Sequence, residues 1–138
     1  MVNIYDFLTF RQGQKVFVVI KPGFLQYSGE IIDILKSKGW VVERIINKKL
    51  LPKEAKAMYK VHKDEPFYKD LCKYICSDVS QGIILKYVKG GLDKPFKAMA
   101  KIKDDIRKKY GESDMRNVMH SSDSESNMLN EAGIYFNL

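Results

Sequence analysis

Cysteine is scarce in this 138-residue sequence: there are two, Cys72 and Cys76, four apart in a stretch of helical character. Two thiols give neither a disulfide framework nor a metal set, and a reducing compartment is the simpler reading. Long apolar runs are missing as well. No stretch approaches the roughly 20 residues needed to cross a bilayer. The first fourteen residues, MVNIYDFLTFRQGQ, place charged and polar groups where a signal peptide needs an unbroken apolar segment. A cytoplasmic protein with no membrane partner is expected. Histidine is limited to His62 and His120. No cluster of carboxylates offers a dedicated metal site, and no internal repeat or low-complexity segment is present.

What the chain has in excess is positive charge. Lysine and arginine number 24 against 17 acidic residues, a formal net charge of +7. Such a balance suits polyanions, nucleic acid and nucleotide phosphates alike, or simply a solvated lysine-rich surface. Apart from the short pairs Lys48-Lys49 and Lys108-Lys109, the lysines are spread along the chain with carboxylates among them. That dispersion argues against a nucleic-acid stripe. The length suits one domain, which buries roughly two thirds of its unfolded surface and needs no staples.

Hydrophobic patterning divides the chain into alternating elements. Lys15 to Ile20, KVFVVI, is a buried strand halted by Lys21-Pro22-Gly23, so that a strand delivers a lysine to a turn. The segment SGEIIDILKSKG then sets Ile31, Ile32, Ile34 and Leu35 on a helical stripe, with Ser28 as N-cap and Gly39 as stop. WVVERIIN, Trp40 to Asn47, reads as a second strand, and the spacing suits a βαβ unit. Two helices led by Pro52 and Pro66 form a hairpin jointed at His62 to Asp64. Gly82 to Tyr87 is a third strand, broken at Gly90-Gly91. Residues 95 to 110 carry Phe96, Met99, Ile102 and Ile106 at helical intervals, Asn117 to Met119 form a short last strand, and Asn127 to Phe136 a last helix. The expected class is α+β: a ferredoxin-like α/β sandwich of about four mainly antiparallel strands with packed helices. Residues 1–14 are expected to be an N-terminal extension, and 15–138 the domain.

The chemistry concentrates in Arg116 to Phe136, RNVMHSSDSESNMLNEAGIYF. A histidine nucleophile needs one ring nitrogen unprotonated and in line with its target, and the other held by an acceptor that fixes the tautomer. His120 has the position for the first role, and Glu131 for the second if the last helix folds back beneath it. Taken alone, a histidine at a strand end reads first as a satisfied polar residue. Its context changes that reading. Asn117, His120, Ser122, Asp123, Ser124, Glu131, Tyr135 and Phe136 together closely resemble the active-site signature of nucleoside diphosphate kinases. FVVIKPG, GEIIDILKSKGW and MYKVHKDEPFYKDLCKYICS resemble the family's first strand and turn, first helix and helical hairpin, in the family's order.

The resemblance implies γ-phosphoryl transfer between nucleoside tri- and diphosphates by a ping-pong route, with magnesium arriving on the nucleotide. It implies that His120 is phosphorylated, that Glu131 orients its ring and that Ser122 helps position Glu131. Lys21 and Tyr59 are implied at the γ-phosphoryl region, Phe67 and Leu71 on either side of the base, Arg107 on phosphate and Asn117 on a sugar hydroxyl. Lys21 makes chemical sense there, since charge developing on phosphoryl oxygens needs a fixed cation. Read without the family, Lys21 is a surface lysine, Tyr59 a half-buried aromatic and Phe67 hairpin packing. A homo-oligomer built from dimers is also implied.

The chain departs from the family pattern between Tyr87 and Arg107. KYVKGGLDKPFKAMAKIKDDIR is shorter than the family's segment and lacks both its threonine and its arginine before Arg107. Lys97 is the expected substitute in the nucleotide site, with Lys94 and Lys101 as alternatives, and a lysine keeps the charge without the planar fork. Slower transfer or altered nucleotide affinity is an expected consequence, and because the family's loop helps dimers assemble into larger rings, the assembly is left open between dimer, tetramer and hexamer. Gly23-Phe24 replaces the family's Asp-Gly, and Ser121 its glycine. A second reading is a nucleotide-binding or assembly module without efficient transfer; a third is a nucleic-acid binder, marked by a steep salt dependence.

Overall fold

In the computed structural model, which describes residues 15–88 and 94–137, four strands form one sheet. They are β1 (Lys15–Ile20), β2 (Trp40–Lys48), β3 (Ser80–Tyr87) and β4 (Met119–Ser121). Their spatial order is β2-β3-β1-β4. Five helices accompany them among the described residues: α1 (Ser28–Ser37), α2 (Pro52–Met58), α3 (Tyr68–Ile75), α4 (Pro95–Tyr110) and α5 (Glu125–Phe136). Short 3-10 turns at Leu25–Tyr27 and Lys60–His62 precede α1 and follow α2. The expected N-terminal extension, residues 1–14, and the break at Gly90-Gly91 lie outside the described residues.

The apolar run of β1 has a simple cause: both of its faces are covered. Side chains alternate along a strand. Val16, Val18 and Ile20 therefore enter one core with Ile31 and Leu35 of α1 and Met99, Ile102 and Ile106 of α4. Phe17 and Val19 enter the other core with Ala55 and Met58 of α2, Ile75 of α3, and Met128, Ala132 and Tyr135 of α5. All six residues of β1 are buried, and each large side chain so enclosed contributes on the order of 1.5–3 kcal/mol relative to exposure.

β1 and β2 are both antiparallel to β3, so they run parallel to each other without touching. The βαβ unit is thus a split one, with β3 inserted between its strands. Ser28 is the first residue of α1 rather than its cap; Tyr27 takes that place, and the Ser28 hydroxyl donates to Gln81 Oε1 at 2.5 Å. Gly39, at φ +95°, supplies the left-handed turn that ends α1. The second hairpin helix starts at Tyr68, later than Pro66 signalled, because Tyr68 N–H closes a turn on Glu65 C=O at 3.1 Å. The last helix starts earlier than expected, at Glu125, where Ser124 caps it by accepting from Asn127 N–H.

The largest shift is in β4. The strand was expected over Asn117 to Met119, but it covers Met119–Ser121, and His120 stands opposite Val19 in its middle. Val118 has φ +82°, a left-handed value that a valine holds only under strong constraint. Its carbonyl accepts from Lys21 N–H at 2.8 Å. The kink delays the ladder and turns His120 onto the face of Val19, the face that α5 covers.

Candidate active site

Three loops and two helices converge at the end of β1 and β4. The turn after β1 supplies Lys21. Gly23, at φ +91°, lets the chain reverse there, and a Cβ at that position would sit 2.7 Å from the Arg116 guanidinium. Tyr74 of α3 pins the turn from the other side by donating its hydroxyl to Pro22 C=O. The backbone bond from Lys21 to Val118 ties the turn to the loop before β4. Lys21 is therefore held by main chain on two sides.

Between these elements lies a cavity of about 510 Å³ lined by Lys21, Tyr59, His62, Phe67, Leu71, Arg107, Asp114, Met115, Asn117 and His120. Seven of the residues singled out from sequence, Lys21, Tyr59, Phe67, Leu71, Arg107, Asn117 and His120, share this one space. His120 Nε2 lies 2.7 Å from Glu131 Oε1, and Glu131, on α5, is itself buried. With Nε2–H donating to the carboxylate, Nδ1 keeps its lone pair. The ring of Tyr59 meets that of His120 edge-on, 6.1 Å between centroids.

The electrostatics favour an anion. Lys21 is buried, and its ammonium donates to Asn117 Oδ1 at 2.7 Å and to Met115 C=O at 3.4 Å. Burial first, and then the charges of Arg107 and Lys103, bring its pKa down from 10.5 to about 7. Arg107 forks onto Met119 C=O, from Nε at 3.2 Å and Nη2 at 2.9 Å, and partial burial lowers its pKa too. Burial pushes the Tyr59 phenol far above its ordinary range, so it stays protonated. Its hydroxyl is buried and has no hydrogen-bond partner among the described residues.

Two sequence-derived assignments move. The Ser122 hydroxyl does not reach toward Glu131; it accepts from Phe17 N–H at 3.0 Å and donates to Phe17 C=O at 3.3 Å. Ser122 directly follows β4, where the main chain of β1 is its neighbour. Lys97 and Lys101 are exposed on α4, as is Lys94 at its N-cap, and none of the three lines the cavity. The buried stripe of α4, Met99, Ile102 and Ile106, turns them outward. Asn117 holds Lys21 on one side and donates to Asp114 C=O at 2.7 Å on the other, so its amide is already spoken for on both ends.

From sequence His62 is a joint residue of the hairpin, and Lys103 is one of several lysines in the segment 95 to 110. His62 lines the cavity between Tyr59 and Phe67, its ring centroid 5.6 Å from that of Phe67. Its rarity in the chain and its place three residues after Tyr59 were the available signals. Among the described residues no group of three or more His, Cys, Asp or Glu is placed to hold a metal ion, and no helix is long and apolar enough to cross a membrane.

Comparison with known proteins identifies the family. The sequence model described as nucleoside diphosphate kinase matches residues 14–138. Curated relatives include the nucleoside diphosphate kinases of Helicobacter pylori strain 26695, 32% identical with 89% of this chain and 95% of that protein covered, and of Campylobacter curvus, 31% identical with the same coverage. The structure is similar to that of the Aquifex aeolicus nucleoside diphosphate kinase, with TM-score 0.77, 20% identity, and 88% of this chain and 93% of that chain covered. At that identity the likeness concerns the fold, the same four-stranded antiparallel sheet with helices on both faces. By the extent of the sequence match, the chain belongs to the nucleoside diphosphate kinase family.

Proposed function

We propose that this nucleoside diphosphate kinase moves the γ-phosphoryl group of a nucleoside triphosphate to a nucleoside diphosphate through a phosphohistidine at His120. The observation that carries the reading is the 2.7 Å contact between His120 Nε2 and Glu131 beside a cavity lined by Lys21 and Arg107. The Nδ1 lone pair attacks the γ-phosphorus, the bond from that phosphorus to the β,γ-bridging oxygen breaks, and the diphosphate leaves with the electron pair. A terminal oxygen of the second diphosphate then attacks, and the N–P bond breaks. Lys21, Arg107 and the Tyr59 hydroxyl are the groups available to offset charge on the transferred oxygens. Phe67 is 42% exposed, a large aromatic surface at the cavity's rim that offers a base, purine or pyrimidine, one π-face to stack on. Leu71, one helical turn further on, lines the cavity beside it.

Magnesium travels with the nucleotide. Of the cavity's lining only Asp114 is a carboxylate, a donor set that fits a hard cation held chiefly by phosphate oxygens and its own waters. Bound there, the ion screens charge between the β- and γ-phosphoryl groups. The enzyme works in the cytoplasm, where two free thiols stay reduced. It assembles from dimers: β2 is an edge strand among the described residues, with Val41 46% and Ile45 47% exposed, a surface suited to a second copy.

The test is labelling. Protein incubated with γ-labelled ATP and magnesium takes up acid-labile, alkali-stable label, His120→Ala takes up none, and added CDP removes the label promptly. Folded protein that binds nucleotide but never takes label would overturn the transfer and leave a nucleotide-binding module.

A further inference from the structure

We propose that Lys103 is the second phosphate-binding cation of this site, holding β- or γ-phosphoryl oxygens together with Arg107. The inference rests on reading the cavity as a nucleoside phosphate site and names a residue that supplies charge there. Five lysines lie on α4: Lys97, Lys101, Lys103, Lys108 and Lys109. Four of them are exposed, and Lys103 alone is partly buried. Helical geometry explains the exception. Lys103 stands one turn after the fully buried Met99 and one turn before Arg107, on the same inward side.

Its surroundings leave that charge without a close counter-ion. Among the described residues, no carboxylate forms an ion pair with Lys103. The acids that feel its charge are Asp104, Asp123 and Glu131. Asp104 is exposed, Asp123 accepts from Asn127 Nδ2 at 2.6 Å, and Glu131 is taken by His120. The cations facing it are Arg107 on its own helix and Lys21 from the turn after β1, both of which line the cavity. Three positive groups gathered in partly desolvated space repel one another until an anion joins them. Lys103 does not wall the cavity itself, but its flexible four-carbon stem brings an ammonium onto a phosphate oxygen. No arginine lies between Tyr87 and Arg107 to do this instead.

The experiment is calorimetric binding of AMP, ADP and ATP to the full chain, with Lys103→Gln, Lys103→Met, Lys103→Arg and the exposed control Lys108→Gln. Loss of a charged hydrogen bond to phosphate weakens ADP and ATP about tenfold to a hundredfold. The loss is larger for ATP than for AMP, is the same in Lys103→Met, which keeps the stem's packing, is largely restored in Lys103→Arg, and is missing in Lys108→Gln. Wild-type affinity in both neutral variants overturns the proposal, as does an equal loss for all three nucleotides, which marks a structural role. Phosphoenzyme labelling of the wild type separates the two readings. Labelled wild type with unweakened Lys103→Gln removes Lys103 alone, whereas Lys103-dependent ADP binding without label upholds the phosphate contact and removes the transfer. A wild type that binds no nucleotide overturns both.

Discussion

On the nucleophile side of the cavity, polar groups are matched to protein partners before any substrate arrives. His120 Nε2 is on Glu131, Ser122 is on both main-chain groups of Phe17, and Asp123 and Ser124 hold Asn127 at the start of α5. On the phosphate side the positive charge is left unbalanced: the Tyr59 hydroxyl has no partner among the described residues, Lys21 and Arg107 donate only to neutral oxygens, and both are partly stripped of water beside Lys103. One wall is preorganised by neutral and opposite-charge contacts that order the reacting atom. The other wall holds unbalanced positive charge that an anionic substrate completes, which stores binding energy for the place where charge moves.

Breaking the ordered wall carries the largest effect. Glu131→Gln keeps the shape but removes the charge, and its amide can donate to the ring as well as accept from it. The tautomer that frees Nδ1 then loses its advantage. We expect the rate of His120 phosphorylation, measured by rapid quench, to fall about a hundredfold, with ADP affinity within about twofold of wild type. An unchanged rate would show that Glu131 has no part in holding the ring.

The open wall is probed through Lys21. In the unfolded chain this lysine titrates at its ordinary 10.5, and in the folded chain at about 7. Between those values the unfolded state holds more protons, so this group makes stability rise with pH across that window. Substrate binding has the opposite sign. A phosphate anion favours the ammonium and lifts its pKa, so ADP binding takes up a proton above pH 7. Affinity should weaken by up to about tenfold per pH unit there. Calorimetry in buffers of different ionisation enthalpy measures the uptake, and Lys21→Met should abolish it. If uptake persists in that variant, another group carries the proton.

Much of this site can be read in the chain itself, and the reason differs by residue. KVFVVI followed by Lys-Pro-Gly announces a buried strand and a lysine at its end, because local pattern sets both. His120 and Glu131 are eleven positions apart, a separation bridged by a short turn and just under two turns of α5, which sequence order nearly dictates. The partner of Ser122 lies 105 positions away and depends on which strand pairs with β4, so no local signal reveals it. The positive φ of Val118 is likewise imposed by the Lys21 turn, and it moved β4 by two residues. Lys103 is a different case. The stripe of Met99, Ile102 and Ile106 was visible in the sequence, and following its phase would have placed Lys103 inward and Lys97 outward.

Tyr59→Phe sharpens the comparison from the open side. A buried hydroxyl without a partner costs stability, so its removal should leave the melting temperature unchanged or raise it. Transfer, however, should slow by roughly threefold to tenfold if the hydroxyl donates to the phosphoryl oxygens. A drop in both stability and rate would instead mean that Tyr59 serves the hairpin's packing.

Ser122→Ala is expected to do the reverse, with the smallest effect on rate. It deprives the Phe17 N–H of its acceptor at 3.0 Å in the middle of a fully buried strand, and an unsatisfied buried donor costs about 1–3 kcal/mol. The backbone bond from Ser122 N–H to Phe17 C=O at 2.9 Å remains, so β4 keeps its place and His120 its partner. Denaturant unfolding should show the loss in full, while phosphorylation of His120 stays within about twofold of wild type because Glu131 is untouched. If the rate falls as it does in Glu131→Gln, the hydroxyl acts on the carboxylate after all, and the line between the two walls has to be redrawn through β1.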